Sequence, residues 1–104
     1  MKTQIKNLLT VLEFNPDTVS SQTLHKNDAG SITLFTFAKG QGLSEHSAPF
    51  DAFVMSLEGE VDVKIGGDSH LLKSGDSVIM PANVPHSLIA VTDFRMMLVM
   101  LKGK

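Results

Sequence analysis

The chain has 104 residues, which is enough for one domain with a single hydrophobic core and too few for two domains. Cysteine is absent, which excludes disulfides, zinc–thiolate sites, iron–sulfur clusters and cysteine nucleophiles, so a bound metal is expected to take nitrogen and oxygen ligands. The formal net charge of −2 comes from scattered charges without a basic run, so nucleic acid is not an expected partner.

Membrane association is not expected either. No apolar stretch reaches the roughly 18 residues that a membrane-spanning helix needs. The N-terminal residues include Lys2 and Lys6 but lack the apolar core of a secretory signal peptide. The sequence therefore predicts a soluble cytoplasmic protein without a membrane partner.

Near the N-terminus, four apolar residues follow the spacing of one helical face: Ile5, Leu8, Leu9 and Leu12. This spacing predicts a short amphipathic helix over Thr3–Leu12, lying across one end of a sheet and ended by Pro16. A single domain over residues 1–104 is expected, with residues 1–16 as a helical extension and residues 17–104 as the body.

From Val19 onward, short β-prone segments alternate with turn residues. Nine strands are predicted, at residues 19–26, 31–38, 43–47, 52–57, 61–65, 69–72, 77–80, 86–91 and 94–101. Short, evenly spaced strands after one short helix are typical of an all-β sandwich or barrel.

Two stretches, residues 40–59 and 75–90, hold glycine, proline and histidine in a recognisable order. The matching residues are Gly40, His46 and Gly59 in the first stretch and Gly75, Pro81 and His86 in the second. Their spacing resembles the two motifs of the cupin family. The resemblance implies a double-stranded β-helix (jelly-roll) barrel, in which His46 and His86 project from neighbouring strands into one barrel mouth, where family members hold a metal.

The chain departs from this family pattern at three positions. Ala48, Ala52 and Ala90 stand where the family has its second histidine, its glutamate and its asparagine. A catalytic zinc or iron site usually keeps at least three protein ligands. Asp51 is next to the lost glutamate, but strand alternation turns it to the opposite face unless the preceding turn shifts the register. The metal prediction is therefore either none or one divalent ion (Zn, Fe, Mn or Ni) on His46 and His86, completed by Asp51, water or a ligand.

The predicted pocket comprises the inward-facing residues of the two motif strands: His46, Ala48, Ala52, Val54, Ser56, His86, Leu88 and Ala90. Three alanines at ligand positions make it roomy and apolar, which favours a small-molecule-binding barrel without assigned catalytic residues. In that interpretation the two histidines bond to each other, to water or to a small acidic ligand. The alternative is a metal-dependent dioxygenase, isomerase or lyase acting on a small carbonyl, sugar or aromatic compound.

Two further features concern the interior and the surface. Four of the six methionines fall between Met80 and Met100, either as core filler or as a pliable pocket lining. The segment Met96–Leu101 lacks polar alternation, so both its faces should be covered, and a homodimer is expected. Between Pro81 and Pro85, Asn83 stands at a family glycine and is predicted to adopt a positive φ.

Overall fold

The computed structural model describes residues 3–102, which form nine strands. The strands are β1 (Val19–Asn27), β2 (Gly30–Phe37), β3 (Gly42–His46), β4 (Asp51–Glu58), β5 (Val61–Ile65), β6 (Asp68–Leu72), β7 (Ser77–Met80), β8 (His86–Ala90) and β9 (Phe94–Leu101). All nine predicted strands are present, and each end differs from its prediction by at most one residue. The alternation of apolar and polar residues and the turn residues together located them.

The strands form two sheets, with the orders β1-β2-β9-β4-β7 and β3-β8-β5-β6, and every paired strand is antiparallel. One hydrophobic core lies between the sheets, with Phe37, Val54 and Phe94 from the five-stranded sheet and Val63 and Leu88 from the four-stranded sheet. This architecture confirms the predicted all-β jelly-roll barrel. The two motif histidines lie on neighbouring strands of the four-stranded sheet, His46 on β3 and His86 on β8.

The register of β4 determines which of its residues face the interior. Ala52, Val54 and Ser56 are buried, and they pair with Met100, Leu98 and Met96 of β9. Directly paired residues point to the same side of a sheet. The even-numbered residues of both strands therefore form one inward-facing surface.

The predicted N-terminal helix over Thr3–Leu12 is wrong. In its place is a turn, in which the Asn7 carbonyl accepts hydrogen bonds from the Thr10 and Val11 amides and the Asn7 side chain accepts one from the Leu9 amide. Ile5 is 98% exposed and Leu9 is 51% exposed, so half of the predicted apolar face lacks a packing partner. A helix of this length is marginal without such packing. Among residues 3–102, no helix is long and apolar enough to cross a membrane.

The end of this N-terminal segment packs on Arg95, whose side chain is almost fully buried. The Arg95 guanidinium donates to the Leu12 carbonyl and to Glu58 Oε1, the latter at 3.2 Å, and it lies 4.7 Å from the centre of the Phe14 ring. Thr36 Oγ1 donates to the Glu13 carbonyl at 3.2 Å. The segment is thus held against the outer face of the five-stranded sheet.

The loop between β7 and β8 has the backbone that was predicted for it. Asn83 has a φ of 66°, in the left-handed region that asparagine tolerates better than other residues with a side chain. Its amide donates to the Ala48 carbonyl at 2.7 Å. This bond joins the loop before His86 to the loop after His46.

Candidate functional site

The two motif histidines are cross-strand neighbours. His46 ends β3 and His86 begins β8, and the two residues pair in the antiparallel register. Their ring centres are 4.4 Å apart, with the ring planes at 70°, and the two Nε2 atoms are 3.2 Å apart. We call His46 and His86 together the imidazole pair.

The backbone determines which ring nitrogen of each histidine carries a proton. His46 Nδ1 lies 2.8 Å from the Ser44 carbonyl oxygen, and His86 Nδ1 lies 3.2 Å from the Val84 carbonyl oxygen. A carbonyl oxygen only accepts, so each Nδ1 is the donor. In the neutral rings both Nε2 atoms are therefore acceptors, and they lie within hydrogen-bond distance of each other. Such a pair calls for a positive charge or a hydrogen-bond donor between the two atoms.

The two rings differ in exposure. His86 is 7% exposed, whereas His46 is exposed to solvent. Burial lowers the pKa of His86 below its usual value of 6.5, the nearby His46 lowers it further, and the hydrogen bond to the Val84 carbonyl opposes the shift. Burial therefore favours the neutral form of His86.

Behind the imidazole pair lies a cavity of about 110 Å³. Its lining is almost entirely apolar and comprises Leu43, His46, Ala48, Ala52, Met80, His86, Leu88, Met96, Leu98 and Met100. Because His46 is exposed, the imidazole pair forms the polar, solvent-facing end of the cavity.

The structure brings five of the eight predicted pocket residues to this cavity: His46, Ala48, Ala52, His86 and Leu88. Val54, Ser56 and Ala90 are instead buried in the core beyond it, with 0%, 0% and 2% exposure. Ser56 Oγ donates to the Gly59 carbonyl at 2.9 Å, so its hydroxyl closes a turn.

Five lining residues were not in the predicted set: Leu43, Met80, Met96, Leu98 and Met100. Three of them come from β9. Because residues 96–101 are all apolar, the sequence does not show which residues of this strand face inward. The pairing of Ala52 with both Met80 and Met100 provides that information. The clustering of methionine over Met80–Met100 is the sequence signal that pointed to the three methionines among them.

The structure does not bring Asp51 to the imidazole pair. Asp51 is exposed, and its Oδ1 accepts a hydrogen bond from the Ala82 amide at 2.9 Å. Within residues 3–102, no three histidine, cysteine, aspartate or glutamate side chains are grouped so that they could hold a metal. Two imidazole nitrogens fall short of the three ligands of a catalytic zinc or iron site, so the family's usual divalent metal does not fit this donor set.

Comparison with known proteins agrees with the fold and the motif positions. A family model described as "Cupin domain" matches residues 33–102, more than half of the 104-residue chain. The chain belongs to the cupin family. A search of the curated proteins gave no match.

Among solved structures, this cupin is similar to a conserved protein of unknown function from Streptococcus pyogenes, with 33% identity and a TM-score of 0.92 over 100% of this chain and 91% of that one. It is also similar to a cupin 2 conserved barrel domain protein from Leptotrichia buccalis (34% identity, TM-score 0.90), matching 93% of this chain and 47% of that one. A cupin superfamily protein from Desulfitobacterium hafniense is 26% identical, with a TM-score of 0.89 over 97% and 93% of the two chains.

Proposed function

We propose that this cupin is a small-molecule-binding barrel whose ligand enters the apolar cavity and is anchored by the imidazole pair. The observation that carries the proposal is the convergence of two Nε2 atoms, 3.2 Å apart, at the polar end of an otherwise apolar cavity. Ligand sites in proteins are typically concave and mostly apolar, with a few polar groups that fix the ligand's orientation.

The size of the cavity limits the ligand. A dry cavity of about 150 Å³ in another protein accommodates benzene, and the cavity here is about 110 Å³. A ligand with one small ring or a short branched chain is therefore the upper limit without rearrangement. Methionine side chains repack readily, and Met80, Met96 and Met100 line the walls, so modest expansion is expected.

The anchor selects the ligand's polar group. With both Nδ1 atoms next to backbone carbonyls, the imidazole pair offers two acceptors and no donor when its rings are uncharged. A hydroxyl or a similar donor attached to an apolar body satisfies both features. Phenol is the simplest probe with this chemistry. Because the donor set does not fit the usual divalent metal, the proposal involves no metal-dependent reaction.

Calorimetric titration with phenol, in the presence of a chelator, tests the proposal. Ala48 lines the cavity and is half-buried in a loop, so Ala48→Leu should fill the space without disturbing a strand. We expect phenol to bind the wild-type chain and Ala48→Leu to abolish binding. Ala29→Leu, in an exposed turn away from this cavity, should bind phenol as the wild type does. Equal binding by wild type and Ala48→Leu, or no binding by wild type, contradicts the proposal.

We also propose a homodimer through the outer face of the five-stranded sheet. Residues that alternate with the inward-facing ones make this face apolar: Ile32, Phe53, Met55, Ile79, Met97, Val99 and Leu101. The side chains of Ile79 and Leu101 on this face are each 50% exposed to solvent. The same face also carries Asp51, Glu58 and Arg95, and a second copy would cover its apolar part by two-fold symmetry. A cytoplasmic location stays a prediction from the sequence.

A further inference from the structure

The outer face of the five-stranded sheet is already covered at one end. Thr36 of β2 pairs with Arg95 of β9 on this face, yet the two residues are only 1% and 4% exposed. They are buried because the N-terminal segment lies over them, with the Leu12 carbonyl bonded to Arg95 and the Glu13 carbonyl bonded to Thr36. The segment therefore forms a ridge on this end of the face, and we call residues 5–14 the N-terminal ridge.

The N-terminal ridge carries apolar side chains that its own chain leaves uncovered. Ile5 is 98% exposed and Leu9 is 51% exposed. The Asn7 side chain accepts a hydrogen bond from the Leu9 amide at 2.9 Å, within the turn that precedes Leu12. Leu9 is therefore held in a defined place beside the anchored end of the segment, with its side chain available to another surface.

At the other end of the same face is a groove of about 200 Å³ with a mostly apolar surface. We call it the outer groove and define it by five of its lining residues: Ala29, Gly30, Ile32, Val99 and Leu101. Ile32 pairs with Val99, and both lie on the outer face. Leu101 is six residues beyond Arg95 on β9, so the groove lies about 20 Å from the ridge at roughly 3.3 Å per residue.

The N-terminal ridge and the outer groove both lie over β2 and β9, which limits how two copies can meet through this face. When two sheets pack face to face by two-fold symmetry, the axis lies between them and every contact occurs twice. With the axis across the strands, the ridge end of each copy meets the groove end of the other. With the axis along the strands, ridge would meet ridge and hold the sheets apart. Only the first arrangement brings the apolar side chains of the ridge to an apolar groove.

From this complementarity we infer that the homodimer is held by its N-terminal segments, with Ile5 and Leu9 of each copy lying in the outer groove of the other. The two-fold axis then crosses β2 and β9 between ridge and groove, near Met97 and Val99. The inference rests on the homodimer of the proposed function and adds its arrangement and the residues that hold it. It does not depend on what binds inside the barrel.

Cross-linking tests which surfaces meet, and the absence of cysteine from the chain makes it specific. The double variant Leu9→Cys/Ala29→Cys places one thiol on the ridge and one in the groove, which Ala29 lines. With a short bismaleimide cross-linker we expect covalent dimers on a denaturing gel. Each single variant should give few covalent dimers, because the two equivalent thiols of one dimer lie at opposite ends of the interface.

The dissociation constant of the dimer, from sedimentation equilibrium, tests the contribution of the ridge. Leu9 is half-exposed, so burying the rest of its side chain favours association about 3–10-fold. Because the contact occurs twice, Leu9→Ser should raise the dissociation constant about 10–100-fold. Leu71→Ser is the matched control, since Leu71 is 52% exposed but lies on β6 of the four-stranded sheet. It should dimerise like the wild type, and thermal melting checks that both variants are folded.

The possible failures are distinguishable. A dimeric wild type with an unchanged dissociation constant in Leu9→Ser, or with no covalent dimers from the double variant, overturns the inference and leaves the homodimer intact. Covalent dimers from Leu9→Cys alone would mean that ridge meets ridge, and links within one chain would mean that the segment fills its own groove. Either result overturns the inference. A monomeric wild type contradicts the homodimer itself and the inference with it.

Discussion

His86 and His46 are oriented by the backbone that immediately precedes them, since each Nδ1 contacts the carbonyl oxygen two residues earlier in the chain. The ring positions therefore depend on local strand geometry, and the antiparallel register brings the two rings into edge contact. This arrangement needs no carboxylate to orient the rings. It leaves both Nε2 atoms free for whatever occupies the space between them.

The lowered pKa of His86 predicts a pH-dependent stability. Burial and the neighbouring His46 disfavour the protonated ring in the folded chain, whereas the unfolded chain takes up a proton near pH 6.5. The stabilising effect is complete above pH 6.5 and is lost as the pH falls through the folded-state pKa. One such group changes the free energy of unfolding by at most about 1.4 kcal/mol per pH unit.

Urea unfolding between pH 8 and pH 5, with a chelator present, measures this dependence. His86→Phe should flatten the loss of stability at low pH, since it removes the titrating group. His70→Gln is the control, because His70 is exposed on β6. An identical pH dependence in wild type and His86→Phe would show that another group is responsible.

Asn83 gives a second prediction at the level of a single residue. Its φ of 66° disfavours residues with a Cβ, although asparagine tolerates this region. Asn83→Ala should lower the free energy of unfolding by about 1–2 kcal/mol, and Asn83→Gly should leave it nearly unchanged. Chemical denaturation of both variants checks this. Equal losses for Ala and Gly would mean that the asparagine side chain, rather than the backbone angle, matters.

The nine strands were predictable because alternation and turn residues are local signals that the final fold retains. The N-terminal helix was not, since helical spacing is informative only if a partner surface receives the apolar face. Ile5 is 98% exposed and has no such partner. The inward face of β9 was not predictable from the sequence either. Every residue from Met96 to Leu101 is apolar, and only the pairing with β4 decides which of them reach the cavity.

Arg95 on β9 binds the N-terminal segment to the barrel, so a substitution of Arg95 tests how much this contact stabilises the fold. Arg95→Leu removes the bonds to the Leu12 carbonyl and to Glu58, together with the contact on Phe14. We expect it to lower the free energy of unfolding by about 1–3 kcal/mol. Glu58→Gln should cost under about 1 kcal/mol, because the Glu58 side chain is 52% exposed. Urea unfolding measures the free energy of unfolding of both variants. An equal loss in the two would mean that the Arg95–Glu58 ion pair, rather than the contact with the N-terminal segment, accounts for the stabilisation.

At the scale of the whole molecule, the barrel has two outer faces of different character. The five-stranded sheet presents apolar side chains across β9, β4 and β7, with the Arg95–Glu58 pair at one end of them, whereas the four-stranded sheet sets the charged residues Asp62 and Lys64 beside Ile89 and Leu71. Both faces expose apolar side chains, and Ile89 is 59% exposed. Continuity rather than exposure distinguishes the proposed dimer face.

Val99→Glu on the five-stranded sheet should convert a dimer into a monomer, because it places a charge in the centre of the proposed interface. Ile89→Glu on the four-stranded sheet is the matched control and should remain dimeric. Size-exclusion chromatography with light scattering at micromolar concentration gives the mass directly. A monomeric wild type, or a Val99→Glu variant that stays dimeric, would contradict the proposed interface.

The central claim is that the imidazole pair and the methionine-lined cavity form one ligand site. Nuclear magnetic resonance of the histidine ring nitrogens and methionine methyl groups, recorded with phenol and chelator at pH 7.5, tests it most directly. We predict that phenol shifts the Nε2 signals of His46 and His86 and the methyl signals of Met80, Met96 and Met100, while the exposed His25 and His70 stay unchanged. Unchanged signals from both the imidazole pair and the cavity methionines at saturating phenol would contradict the account.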